Sequence, residues 1–359
     1  MRQANKPVRD DHADRQATLA LRVLLGETAP ATAAPQADWN ALTGLAERNA
    51  VLLRLADRFS DARQELPAFV QQAVAKERAR VRAVLHLIGQ VHDNCRRHGI
   101  AHLFPKALQH VPDMGHDVDL LAFAESTAVD RLILHDVPAV ADPRDFGARL
   151  AGEASYTIAG TGLTVDIQHG RVGAPGSDRR LPPILRQSRR VIAFAGMALE
   201  APSEEHQLIL QGLQKVYRGT AFRLADVLFT IAAVRGGRLD WDEIQRTARR
   251  VNASAALSCY LAYIDQIHHQ VFGDLLLPTD ARRHLRLDGW GKVEFRCGLY
   301  GFPHRRVHRR LHLTLLGSAV VSGNWRAACG MGLLLVAATP ARLRRLARWT
   351  STAPTHGVG

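Results

Sequence analysis

Residues 106–123, KALQHVPDMGHDVDLLAF, decide the fold of this chain because they place two aspartates at the start of an apolar, strand-like run. Successive side chains of a strand point to opposite faces, so Asp117 and Asp119 share one face and lie about 7 Å apart along the strand. The apolar residues that follow indicate a buried strand. Two acids on one face of such a strand need a partner for their charge, and a divalent cation would provide one.

A second strand-like segment, LTVDIQHG at residues 163–170, supplies another carboxylate. Its apolar residues alternate with polar ones, which places Asp166 on the polar face. If the two strands are neighbours, Asp117, Asp119 and Asp166 converge and repel one another unless cations lie among them. We therefore predict that these three carboxylates are metal ligands.

Composition is typical of a folded globular protein. The 359 residues are 47% hydrophobic and 23% charged, and the length favours two domains or one enlarged domain. The first sixteen residues contain no apolar segment, unlike a secretory signal or a transit peptide. The four cysteines are scattered without a CxxC pair, which indicates neither a disulfide framework nor a zinc site. We expect a cytoplasmic protein without a transmembrane segment.

Basic charge is concentrated near the C-terminus. Residues 281–350 contain 14 Arg and Lys against 2 Asp and Glu, a local charge of +12 within the total of +13. Such a region attracts nucleic acid, anionic lipid or an acidic partner, so nucleic acid is a candidate partner here. His304, His308 and His312 recur every fourth residue, but the arginines between them would repel a metal ion. This pattern favours an anion-attracting helix face.

The most hydrophobic stretch, residues 311–338, is interrupted by Asn324, Trp325 and Arg326. It lacks an uninterrupted span of about 20 apolar residues, which a transmembrane helix requires. We expect a buried helix or strand here, with contact to a membrane surface as the alternative.

The order of patterns predicts an α+β protein with a small mixed sheet, flanking helices, a helical N-terminal region and a helical C-terminal half. Within that half, Asp240 is expected to cap a helix, together with Glu243. The expected parts are a disordered tail (1–16), a helical region (17–97), an α/β core (98–172), a helical domain (184–278) and a basic accessory region (279–359).

An ordered series of these features resembles the uncharacterised nucleotidyltransferase family of the polymerase beta superfamily. The series comprises the helix ending at Gly99, Lys106, the DVD of residues 117–119 and the VDIQHG of residues 165–170. Residues 203–232 and 239–278 resemble that family's helical half, and the similarity spans about residues 83–278. It implies a nucleotidyltransferase fold and transfer of a nucleoside monophosphate from an NTP to a hydroxyl or phosphate. The acceptor stays open among small molecule, sugar, peptide or protein, and nucleic acid.

The resemblance also implies roles for individual residues. Asp117 and Asp119 would hold Mg²⁺ or Mn²⁺ on the nucleotide phosphates, while Asp166 would help bind a second metal and activate the acceptor hydroxyl. The residues expected to contact the nucleotide are Lys106, His116, His169, Arg218 and Arg223. Ordinary surface or packing positions are the alternative for the lysine and the histidines. A helical ion pair with Asp226 is the alternative for Arg223.

Two departures from the family pattern leave other functions open. Ala107 stands where the family has glycine, and residues 113–116 lack the arginine that commonly precedes the aspartates. One alternative is a catalytically silent nucleotidyltransferase-fold module with a binding or regulatory role. The other is an RNA-acting transferase or an RNA-binding protein that uses the basic tail.

Overall fold

The computed structural model of the protein describes residues 11–106, 109–144, 152–172 and 179–321, together with residues 323, 325, 328 and 329. Ala107 lies outside the described residues, as do residues 1–10 of the expected tail and most of the chain beyond Val321. Helices flank a small sheet, which confirms the α+β class.

Helices form the N-terminal part of the protein. They are α1 (Asp11–Leu24), α2 (Pro30–Ala33), α3 (Trp39–Arg48), α4 (Leu52–Asp61) and α5 (Ala68–Arg97), with a 3₁₀ helix at Ala34–Gln36. Helix α1 begins inside the segment that we expected to be disordered, so residues 11–16 are helical. The reason is amphipathic packing: Gln16, Ala17 and Leu21 are buried on the side of α1 that meets α3 and α4.

A five-stranded sheet in the order β1-β2-β5-β4-β3 follows. Its strands are β1 (His102–Leu103), β2 (Asp117–Ala122), β3 (Ala139–Ala141), β4 (Glu153–Ile158) and β5 (Thr164–His169), and helix α6 (Ser126–Asp136) lies between β2 and β3 in sequence. The two central strands, β2 and β5, are parallel, whereas the other pairs are antiparallel. Val118 and Val165 are fully buried, and α5 packs against β2 and α6.

The second half is mainly helical, and the buried helix Glu204–Arg218 contacts four of its other helices. Its helices are α7 (Leu181–Gln187), α8 (Glu204–Arg218), α9 (Leu224–Arg235), α10 (Trp241–Arg250), α11 (Ser254–Phe272), α12 (Thr279–His284) and α13 (His304–Val321). Helix α8 packs against α9, α10, α11 and α13. Gly212 permits its approach to α11, since a Cβ there would lie 3.1 Å from Cα of Leu257. The predicted cap of α10 is confirmed, because Oδ1 of Asp240 accepts the N–H of Glu243 at 2.9 Å.

Two small sheets interrupt the helical half. A hairpin of β6 (Arg190–Phe194) and β7 (Met197–Ala201) lies where the sequence predicts mostly helix. Its turn residues Ala195 and Gly196 have φ of 50° and 78°, which suits a two-residue hairpin turn. The other sheet has the order β8-β10-β9, from β8 (Ala221–Phe222), β9 (Glu294–Arg296) and β10 (Leu299–Gly301). This sheet joins part of the accessory region to the short strand that precedes α9.

The apolar run that begins at residue 311 is helical as far as Val321. Only one side of it is buried, through residues such as Leu311 and Leu315, whereas Leu313, Val320 and Val321 are exposed. The expectation of a buried segment is therefore wrong for this outward side. Across the described part of the chain, no helix combines the length and apolar character needed to span a bilayer.

Candidate active site

Asp119 and Asp166 lie directly opposite each other in the central strands. The parallel register of β2 and β5 pairs Asp119 with Asp166 and Asp117 with Thr164. Residues in register share a face of the sheet, so the three predicted ligands point to the same side. Asp119 is buried, Asp166 is half-buried and Asp117 is exposed.

The carboxylates of Asp119 and Asp166 each have a partner within the protein. Nζ of Lys106 lies 2.9 Å from Oδ1 of Asp119, and the hydroxyl of Ser155 donates to Oδ1 of Asp166. With the side chains in these positions, no three His, Cys, Asp or Glu residues of the described ranges are grouped closely enough to hold a metal ion. The ammonium group and the hydroxyl satisfy the acids individually instead.

The carboxylates nevertheless affect one another. Burial raises the pKa of Asp166 above its ordinary value, the hydroxyl of Ser155 opposes this shift, and the negative charges of Asp119 and Asp117 raise the pKa further. Mutual repulsion of this kind is relieved by a cation. The donor set therefore fits a divalent metal in its chemistry and in its common face.

The segment before β2 is held by an arginine of α5. Nη1 of Arg80 donates to the carbonyl oxygen of Gly115 at 2.6 Å, and Nη2 donates to that of Met114. Gly115 is needed for a close approach, since a Cβ there would lie 2.7 Å from Oδ1 of Asp117. Arg80 precedes the aspartates by more than thirty residues, so the local sequence gives no signal for this contact.

A buried acid fixes the same segment from the other side. Asp113 accepts the N–H of Leu53 at 2.6 Å and Nε of Arg54 at 2.9 Å. Its side chain is fully buried. The residues before the aspartates thus position the strand through hydrogen bonds to two N-terminal helices and an ion pair with one of them.

The loop that carries Lys106 is attached to the helical half. Nε2 of Gln207 on α8 donates to the carbonyl oxygen of Pro105 at 2.7 Å and to Oε1 of Gln109 at 2.6 Å. These two bonds hold the segment on both sides of Lys106 against α8.

Asp226 of α9 forms the other attachment of this loop. Its Oδ1 lies 2.7 Å from Nζ of Lys215 and 3.4 Å from Nε2 of His110. Burial alone would raise the pKa of Asp226, but the charge of Lys215 and the contact with His110 outweigh burial and hold the pKa well below its ordinary value. Asp226 therefore stays ionised in the interior and ties α8, α9 and the loop together.

A polar stripe on α8 faces the carboxylate side of the sheet. Its members recur at helical spacing and are Gln207, Gln211, Lys215 and Arg218. The stripe reaches the sheet because Arg218 is paired with Glu153 of β4, which is in register with Gln168 of β5. Gln168 and Asp166 are two residues apart in β5, so they share a face.

Gln211 lies within this stripe and carries unused hydrogen-bonding groups. It is 2% exposed. Among the described residues, neither its Nε2 nor its Oε1 has a hydrogen-bond partner, and the same holds for Oε1 of Gln168. Buried amides normally form hydrogen bonds, so these groups are candidates for contact with a ligand. Neither glutamine is predicted from the sequence, since glutamine carries no charge or metal-binding signature.

The remaining predicted residues are dispersed. His116 is exposed beside Asp117, and Arg218 pairs with Glu153 of β4. Arg223 is exposed at the start of α9, and its backbone N–H, rather than its guanidinium group, donates to Oδ2 of Asp226 at 3.0 Å.

The structure does not bring His169 together with the carboxylates. Strand alternation places it on the opposite face from Asp166. There its Nε2 lies 3.6 Å from Oδ1 of Asp130 in α6, and Asp130 also binds Arg144 and the hydroxyl of Tyr156. Burial lowers the pKa of His169, which favours the neutral ring.

Comparison with known proteins gives little further guidance. No family model matches the sequence, and no curated protein matches it. Among solved structures, the chain is similar to the antibiotic-resistance factor ANT(2'')-Ia at 12% sequence identity, over 52% of this chain and 98% of the other, with a TM-score of 0.34. A TM-score this low does not establish a shared fold, so the candidate site rests on its own geometry.

Proposed function

We propose that this protein is a nucleotidyltransferase that depends on Mg²⁺ or Mn²⁺. It would move a nucleoside monophosphate from an NTP to a hydroxyl or phosphate of an acceptor and release pyrophosphate. The single observation that carries the proposal is the parallel register that sets Asp119 opposite Asp166, with Asp117 on the same face. Three carboxylates that repel one another suit the binding of cations, and the neighbouring lysine suits the binding of an anionic phosphate chain. The ordered resemblance of residues 83–278 to nucleotidyltransferases is the second support.

Each residue has a distinct role in this proposal. Asp117 and Asp119 would hold the metal that orients the NTP phosphates, and Asp166 would hold a second one and accept the proton of the acceptor hydroxyl. When bound, the metal ions would neutralise charge on the transferred phosphoryl group and stabilise its leaving oxygen. Lys106 would turn from Asp119 to the triphosphate, because its ammonium group compensates whichever anion lies beside it.

The fixed position of the Lys106 loop supports this arrangement. Gln207 holds the loop directly, and Asp226 holds it through His110. A phosphate-binding group on an anchored loop is already oriented before the nucleotide arrives, which lowers the entropic cost of binding.

A catalytically silent binding module is the second candidate. It is favoured by one observation: Lys106 already pairs with Asp119, and the described residues contain no ready group of three metal ligands. Such a module would bind a nucleotide or another anion without a metal. It predicts that nucleotide binding is independent of Mg²⁺.

The test has two parts. Isothermal titration of the purified full chain with each NTP, with and without Mg²⁺, measures whether binding needs the metal. Incubation with α-labelled NTPs and a cell extract then identifies labelled acceptors, which should disappear for the Asp117→Ala, Asp119→Ala double variant. Asp280→Ala is a matched control, since Asp280 is exposed and far along the chain from the site.

The outcomes separate the candidates. Label transfer that needs Mg²⁺ and both aspartates supports the nucleotidyltransferase. Nucleotide binding that is insensitive to Mg²⁺, with no transfer, favours the silent module. Transfer that persists in the double variant would remove these aspartates from the mechanism.

A further inference from the structure

The first half of α13 presents a dense positive surface. Arg305, Arg306, Arg309 and Arg310 line an open depression of about 720 Å³ together with Leu313 and Thr314. Arg310 is also a structural residue, because its Nη1 donates to the carbonyl oxygen of Gly289 at 2.9 Å and its guanidinium lies 4.1 Å from the ring centre of Trp290. The other three arginines are exposed and project from the helix.

The sequence that contains and follows α13 is rich in arginine. After Glu294 the sequence contains ten arginines and no Asp or Glu, in the described residues and beyond them. An excess of this size creates a positive potential that extends into solvent and attracts a dense anion. A binding partner that neutralises these arginines therefore has to carry negative charge itself.

The same outward side of α13 becomes apolar toward its C-terminal end. Leu313 is 52% exposed and Val320 is 43% exposed. At 3.6 residues per turn, Leu313 and Val320 fall within about 40° of Arg309 around the helix axis. Val307, Leu311 and Leu315 occupy the buried side instead. One continuous outward face thus changes from cationic to apolar along the helix.

We propose that this outward face of α13, defined by Arg305, Arg306, Arg309, Leu313 and Val320, binds an anionic phospholipid surface. Arginines attract the headgroups, and exposed aliphatic side chains gain free energy when they enter the boundary between headgroups and acyl chains. A basic and apolar face on one helix is the pattern of an interfacial helix. RNA fits less well, because bases stack on aromatic rings, and the aliphatic residues of this face offer no such platform.

The proposal is independent of the transferase activity and concerns where the protein acts. It predicts a peripheral association in which α13 contacts the membrane surface. The acceptor of the proposed reaction could then be at a membrane surface or in solution without affecting this inference.

Co-sedimentation of the full chain with vesicles tests the proposal. Vesicles of phosphatidylcholine alone are compared with vesicles that also contain phosphatidylglycerol, at low and high salt. We expect binding only to the anionic vesicles and a weaker association at high salt. The Arg305→Gln, Arg306→Gln, Arg309→Gln variant should lose on the order of 100-fold in partition, since each basic residue near such a surface contributes about fivefold.

Matched variants separate the contribution of this surface to vesicle binding from the effects of net charge and of misfolding. Arg131→Gln, Arg238→Gln, Arg250→Gln removes the same charge from exposed positions elsewhere and should bind like the wild type. Leu313→Ser, Val320→Ser keeps the charge and should still reduce partition, whereas Val191→Ser, at a position that is 66% exposed on β6, should not. Thermal unfolding verifies that every variant is folded.

Several results would overturn the proposal. These are failure of the wild type to bind anionic vesicles, equal binding to neutral vesicles, or equal losses in the two arginine variants. Binding of single-stranded RNA that the Arg305, Arg306, Arg309 variant abolishes, without vesicle binding, would assign the face to nucleic acid.

Discussion

The ammonium nitrogen of Lys106 lies 2.9 Å from Oδ1 of Asp119, at the centre of the candidate site. This ion pair satisfies a buried carboxylate when no other cation is present. It also means that a metal ion and Lys106 compete for the same oxygen. Lys106 is therefore a sensitive probe of the proposed mechanism.

Substitution of Lys106 by methionine should affect metal and nucleotide in opposite directions. Loss of the positive charge leaves Asp119 free, so the affinity for Mg²⁺ alone should rise, by about tenfold. The affinity for the Mg²⁺–NTP complex should fall, because the triphosphate loses a counter-charge. Calorimetric titrations measure both, with the exposed Lys292→Met as a control. A fall in both affinities would contradict the competition.

The raised pKa of Asp166 predicts a pH dependence of stability. A carboxyl whose folded pKa exceeds its ordinary value of 3.8 favours the folded state at low pH, and that contribution is lost as pH rises through the folded pKa. Asp166→Asn should remove this decline, so the variant gains stability relative to the wild type as pH rises above 3.8. Urea unfolding across pH measures the difference. A constant difference would show that Asp166 is not strained by its neighbours. Added Mg²⁺ should raise the melting temperature of the wild type mainly above that folded pKa.

The ion pair of Lys215 and Asp226 should contribute to the free energy of unfolding. Asp226 is 1% exposed whereas Lys215 is 25% exposed, so only the lysine is readily rehydrated when its partner is removed. Lys215→Met should therefore cost about 3 kcal/mol of unfolding free energy, and Asp226→Asn should cost less. Denaturant unfolding measures both, with the exposed Lys76→Met as a control.

The same pair has a pH signature of opposite sign. Because the pKa of Asp226 is lowered, its stabilising contribution is present above the ordinary value of 3.8 and is lost as pH falls through the folded pKa. The stability difference between wild type and Lys215→Met should narrow in that acidic range. A difference that stays constant down to the acid transition would contradict this assignment.

Gln211→Leu should separate ligand binding from stability. The substitution removes no hydrogen bond that the described residues make and replaces a buried amide by an apolar group of similar volume. Stability should be unchanged or raised, while the affinity for nucleotide or acceptor should fall about tenfold, the value of roughly one hydrogen bond. Paired unfolding and binding measurements test this, with the exposed Gln72→Leu as a control. A destabilised variant with normal affinity would mean that Gln211 serves folding alone.

The part of the site that could be predicted from the sequence follows from the alternation of side chains along strands. The DVD of residues 117–119 and the VDIQ of residues 165–168 carry a period of two. The shared face of Asp117 and Asp119, and the place of Asp166 on the polar face of its own strand, therefore follow from local sequence. The N-cap at Asp240 was readable for the same reason, since a cap is a contact three residues apart.

Contacts between distant segments were not predictable. Arg80, Arg54 and Gln207 hold the site in place across 35, 59 and 102 residues of sequence. The β6–β7 hairpin was also missed, because its turn of Ala195 and Gly196 is a weak signal beside the strong helical periodicity that follows.

The sequence by itself determined the α+β class, the strands that carry the acids, and the shared face of Asp117 and Asp119, because these depend on periodicities of two and 3.6 residues. Only the tertiary structure decided that Asp119 lies opposite Asp166, that Lys106 neutralises it, and that His169 lies on the other face beside Asp130. Strand order and the packing of α8 set those distances, and both depend on the burial of apolar side chains from the whole chain rather than on any local segment.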